Sequence, residues 1–113
     1  MNRDPRLYVE DILYSINSIE QYVSSLSEEE FYRNEMLQDA VVRRLEIIGE
    51  AARNLPAELR RQYPDIPWRR IIGLRNIISH EYFRTVLSRI WEVIQRDIPH
   101  LKARVAEIRQ ELG

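Results

Sequence analysis

Arg75, Asn76, Ser79, His80 and Tyr82 fall within eight consecutive residues, RNIISHEY, of a chain of 113. An imidazole takes up or gives a proton near neutral pH, and a guanidinium stays charged and offers a planar fork of donors that fits a phosphate. Transfer of a phosphodiester to a neighbouring hydroxyl needs these two groups. A base removes the hydroxyl proton, and a cation neutralises the charge that builds on the phosphorane. RNA supplies the hydroxyl itself, at its 2′ position, so His80 as general acid and base and Arg75 as phosphate clamp suffice for cleavage without a metal ion.

At about 100° per residue, Trp68 to Tyr82 sorts into two arcs of one helix. Ile71, Leu74, Ile78 and Tyr82 share an apolar arc, and Arg69, Gly73, Asn76 and His80 a polar one. Asn76 lies one turn before His80, where its amide can fix the imidazole tautomer. Ser79 adds polar support, Arg69 and Arg70 add charge for an RNA backbone, and Gly73 leaves room for a close approach. Arg75 stands five residues before His80, about 140° away around a regular helix. A straight helix therefore does not aim both at one phosphate. Unwinding near Ser79, bending of the arginine, or a twofold packing that gathers the stripes of two copies would each resolve this.

The elements that must position this segment read as helices throughout, because apolar residues recur at spacings of 3 and 4. Tyr8, Ile12, Ile16, Ile19 and Val23 mark a helix over Pro5 to Ser24. The SEEE of Ser27 to Glu30 is a capping box that opens a second helix, which kinks or restarts near Asn34 and runs through Met36, Leu37, Val41, Leu45, Ile48 and Ala52 to Leu55. Along it Asp39, Arg43, Glu46, Glu50 and Arg53 form a stripe of alternating sign. This is a solvated ion-pair face or, in the sharper reading, one in which Glu46 or Glu50 orients Arg75 or His80. Gly49 inside this helix permits close packing. Pro56 opens a short turn, Tyr63 to Pro67 is a loop, and Trp68 to about Glu81 forms the next helix. Leu87 to Ile98 gives another, which Pro99 breaks before a last helix over Leu101 to Leu112. His100 reads as surface, and Trp68 and Trp91 as core. The sum is an all-α, up-and-down antiparallel bundle of four to five helices, with residues 1–113 as a single domain.

Composition narrows the function classes. There is no cysteine, so disulfides, thiolate metal sites and thiol nucleophiles are excluded, and a reducing cytoplasm is expected. The charged N-terminus has no signal-peptide core, and no stretch reaches the roughly 18 apolar residues of a membrane span, so no membrane association is expected. Glu-x-x-His pairs for a carboxylate-bridged metal site are missing, and no metal or cofactor is expected. The net charge of −1 conceals an asymmetry. Residues 1–52 carry five arginines against eleven acids, residues 53–89 eight arginines against three acids, and the remainder balances. A polyanion would therefore meet a local patch around Arg75.

Arg75-Asn76-x-x-x-His80-x-Tyr82 resembles the Arg-x4-His-x-Tyr signature of HEPN-domain toxins of the HepT type. The stretches RRLEIIGEAARNL at Arg43 to Leu55, PDIPWRRIIGLRN at Pro64 to Asn76 and IWEVIQRDIPHL at Ile90 to Leu101 extend the likeness over most of the chain. The resemblance implies a HEPN-like homodimer with a composite, metal-independent ribonuclease site at its interface, acting on tRNA or mRNA through Arg75 and His80 of both chains. It also implies a type VII-like toxin–antitoxin pair, in which a minimal nucleotidyltransferase of the MntA type silences the toxin by AMPylation of Tyr82. For its hydroxyl to be reached, the helix has to end before that residue. Two other readings stay open on the residues alone: a non-catalytic helical module that binds a nucleotide or protein through the same stripe, and a purely structural interaction subunit.

Overall fold

The computed structural model describes residues 3–77 and 83–113, with the backbone alone at 83–85. Among these residues all regular structure is helical. α1 (Pro5–Val23) is capped by Asp4, whose carboxylate accepts from the Arg6 amide at 3.0 Å, with Pro5 preset at the first position. The capping box forms as its sequence dictates. Ser27 Oγ accepts from the Glu30 amide at 3.1 Å and Glu30 Oε1 from the Ser27 amide at 2.9 Å, opening α2 (Glu28–Tyr32). The chain then restarts at Asn34, whose side chain caps α3 (Glu35–Asn54).

Tyr8 lines a groove with Asn54, while Tyr14 meets Arg44, so α1 and α3 run antiparallel. The last helix, α7 (Ile98–Leu112), runs antiparallel to α1 as well, with Arg109 on Glu10 and Lys102 on Glu20. Val9, Ile12, Ile16 and Ile19 of α1, Val41, Leu45, Ile48 and Ala52 of α3, and Leu101, Val105 and Ile108 of α7 are completely buried and form one core. Met36 does not join it and is 81% exposed, at the first turn of α3 beyond the reach of the core.

Two expectations are corrected. Pro99 does not break the chain: the backbone stays helical from α6 (Phe83–Glu92) through a π turn (Val93–Asp97) into α7. Pro99 has no N–H and its ring crowds the carbonyl four residues back, and the wider π turn absorbs that conflict. The helix expected over Trp68 to Glu81 is also interrupted. α4 (Ala57–Arg61) and a loop lead to α5, which is α-helical only over Trp68–Ile72 and tightens into a 3-10 turn at Gly73–Asn76. Beyond Ile77 the expected helix lies outside the described residues.

The entry to α5 is fixed on both sides. Trp68 Nε1 donates to the carbonyls of Arg60 and Tyr63, each at 3.0 Å. Arg104 of α7 grips Asp65 at 2.8 Å through Nε and lies 5.2 Å from the Tyr63 ring centroid. No described helix is long and apolar enough to cross a membrane.

Candidate active site

The segment that carries Arg75 is seated on a glycine. A methyl group at Gly49 would stand 2.6 Å from the Arg75 backbone nitrogen and 3.0 and 3.1 Å from the carbonyl oxygens of Ile72 and Ile71. With hydrogen there instead, the junction of α5 and the 3-10 turn rests directly on α3. Ile71, Leu74 and Ile77 anchor the same segment from the core side, all less than 5% exposed. Their spacing of three is that of a 3-10 helix, where i and i+3 eclipse. Arg75 and the exposed Asn76 are thereby turned outward at the end of the turn.

Glu50 follows Gly49 and meets the arginine: its Oε2 accepts from Arg75 Nη1 at 3.2 Å. Arg53 approaches the other oxygen at 3.4 Å, and Asn54 Nδ2 donates to the Glu50 carbonyl at 2.8 Å. The hydrogen bond from Arg75 holds the Glu50 carboxyl below its ordinary range, with Arg53 adding attraction and partial desolvation opposing both. The pair is about half exposed, which keeps its contribution to stability below about 1 kcal/mol. Its effect is therefore on where the guanidinium points.

The other candidates are dispersed around this turn. Glu46 does not reach Arg75. It faces Arg43 at 3.9 Å and lines a groove between α1 and α3. Arg70 projects to the far side of α5, where Nε lies 2.9 Å from Asp97 Oδ2 in the π turn and Nη2 4.0 Å from Glu92. Arg69 is exposed and has no ion-pair partner among the described residues. Gly73 is open on its Cβ side, with nothing within 4 Å. Ser79, His80 and Tyr82 lie outside the described residues, so their geometry with Arg75 is not part of the structure. No group of three or more His, Asp or Glu side chains that could hold a metal ion occurs among the described residues.

Sequence reasoning missed Asp97 as the partner of Arg70, Asn54 as a brace on the Glu50 backbone, and the groove formed with Arg3, Tyr8 and Asp11. The apolar period of three at Ile71, Leu74 and Ile77 was the available signal for the 3-10 turn. Ile72 and Ile78 blurred it into a helical pattern.

A helical bundle that presents a buttressed arginine on a tertiary-seated turn is the class that fold and site define together. A family model described as "Ribonuclease HepT-like" matches residues 12–108, and the chain belongs to that family. Among its relatives, a Methanocaldococcus jannaschii protein named "Gamma-glutamylcyclotransferase and putative RNase" is 45% identical over 112 residues, 99% of this chain and 50% of its own length. A "Putative RNase" of Caldanaerobacter subterraneus subsp. tengcongensis is 42% identical over 109 residues, 96% of this chain and 97% of its own. A "Probable ribonuclease HepT" of Thermococcus cleftensis is 37% identical over 110 residues, 97% of this chain and 100% of its own. The chain thus spans half the length of the first relative and nearly all of the other two. No solved structure matches it.

Proposed function

We propose that the chain is a metal-independent ribonuclease in which Arg75 clamps the scissile phosphate and His80 handles the proton. The observation that carries this reading is the seat of Arg75, a guanidinium turned outward from a 3-10 turn and backed by Glu50, in a chain of the HepT-like ribonuclease family. In the reaction, His80 removes the 2′-hydroxyl proton and the 2′-oxygen bonds to phosphorus. The P–O5′ bond breaks, and the departing 5′-oxygen collects a proton from a second imidazole. Arg75 neutralises the charge on the non-bridging oxygens.

One chain offers one such histidine in the segment, so the site is completed by a second copy in a homodimer, with Asn76 and Ser79 as polar support and Arg69 and Arg70 along the RNA backbone. In the same reading the protein is the toxin of a type VII-like toxin–antitoxin pair. A minimal nucleotidyltransferase of the MntA type silences it by AMPylation of Tyr82, because an adenylate there adds bulk and negative charge two residues from His80.

Purified, unmodified protein should cleave total tRNA or mRNA in EDTA, and His80→Ala or Arg75→Ala should abolish cleavage with the oligomeric state unchanged. Intact RNA after incubation with the unmodified protein would remove the catalytic reading. A catalytically active strict monomer would remove the composite site.

A further inference from the structure

A groove of about 310 Å³ opens between α1 and α3 beside the Arg75 seat, lined by Arg3, Tyr8, Asp11, Glu46, Ile47 and Glu50 among others. Glu50 belongs both to this groove and to the pair with Arg75, so the groove begins where the guanidinium ends.

Its three carboxylates are not equivalent. Asp11 is engaged by Arg3 at 3.0 Å and Glu50 by Arg75 at 3.2 Å. Among the described residues Glu46 has only Arg43, one turn back on its own helix, at 3.9 Å, beyond hydrogen-bond distance, and its side chain is 38% exposed. Glu46 lines the groove and accepts no hydrogen bond among the described residues. Arg3 lies over the Tyr8 ring at 4.7 Å from the centroid, and Ile47 supplies an apolar wall. Guanidinium planes and aromatic rings are surfaces on which an unstacked base settles. Three carboxylates against Arg3 and Arg43 leave the groove net negative, which disfavours a phosphate. A flat ring that donates hydrogen bonds from its edge fits it.

We infer that this groove seats a guanine base of the RNA next to the phosphate held by Arg75, with the Glu46 carboxylate accepting from guanine N1–H and N2–H. Among the four RNA bases only guanine places two donors side by side on its Watson–Crick edge. Adenine, cytosine and uracil set an acceptor beside their donor, which a carboxylate repels. Glu46 precedes Glu50 by four residues, about 6 Å along α3, a separation comparable with that between the base and the phosphate of one nucleotide. The inference rests on the ribonuclease reading and adds a base preference to it.

The test uses hexanucleotides that differ only in a central guanine or adenine within a uridine background. They are made as 2′-O-methyl RNA, which cannot be cut, and as ordinary RNA. Binding of the uncleavable pair to the full chain, read by fluorescence anisotropy, should favour guanine by roughly tenfold or more, and Glu46→Gln should bring the ratio toward one. Equal binding of the two by the native protein, or an undiminished ratio in Glu46→Gln, overturns the inference. Cleavage of the ordinary RNA pair is scored separately. If neither is cut while the guanine preference holds, the catalytic reading fails and the base site stands. If both are cut at equal rates and bound equally, the base site fails and the catalytic reading stands.

Discussion

Glu50 and Arg75, 25 positions apart, are joined by a 3.2 Å hydrogen bond from guanidinium to carboxylate, and Glu50 is the next residue after the glycine on which Arg75 sits. The arginine is therefore fixed at both ends, its backbone by Gly49 and its head by Glu50. In the proposed reaction a substrate phosphate would share or take over the donors that Glu50 holds. Glu50→Gln removes the competing charge and loosens the guanidinium together. The expected result is a split, with KM for RNA falling and kcat falling on the order of tenfold. Steady-state cleavage of a defined oligonucleotide checks it, and an unchanged kcat would speak against an orienting role.

Gly49→Ala sets two effects against each other. Alanine gains up to about 1 kcal/mol as a helix former, but its methyl would lie 2.6 Å from the Arg75 backbone nitrogen, where only backbone movement can relieve the clash. Overpacking of this kind costs about 1–3 kcal/mol, so the clash wins. Urea unfolding should show a net loss of stability, and cleavage should fall with it, since the turn that carries Arg75 must lift from α3.

Among the described residues four carboxyls sit below their ordinary range: Asp4 through the Arg6 side chain, Glu30 through the Ser27 amide, Glu50 through Arg75 and Asp65 through Arg104. A carboxyl whose folded pKa is depressed contributes stability above its unfolded value, near pH 4, and loses it as pH falls through the folded value. Stability should thus be level from neutrality to about pH 5 and decline below about pH 4. Asp65→Asn should flatten part of that decline in thermal melts taken across the acid range.

Asp97→Ala tests the anchor on the far side of α5. The Asp97 side chain is 15% exposed, and its partner Arg70 returns to solvent when released. The half-exposed arginine limits the loss to about 1 kcal/mol. Amide hydrogen exchange should quicken selectively in Trp68–Asn76, whereas an unchanged exchange pattern would show that α5 is held by its core side chains alone.

The helices and caps were legible because each rests on local chemistry: the SEEE box, Asn34, and apolar spacings of 3 and 4 in α1, α3 and α7. The packing role of Gly49 was legible too, although not the partner it admits. The interruption at Gly73 was not. Propensity and periodicity continue across it, and the tightening comes from the backbone pressing on a glycine 24 positions earlier in the chain. Met36 continues the apolar run of α3 in the sequence, yet it stands in the first turn of that helix and is exposed. The same limit applies to Arg70. Nothing in its neighbourhood in the sequence points to Asp97, the last residue of the π turn that precedes Pro99.

A guanidinium held by tertiary seating rather than helical phase is indifferent to the length of chain that follows it. Adding or removing one residue after Ile77 would rotate every later side chain in a continuous α-helix by about 100° relative to Arg75. Here the guanidinium would stay where Gly49 and Glu50 keep it. The glycine and the glutamate of α3, not the residues that follow Ile77, set where that charge stands.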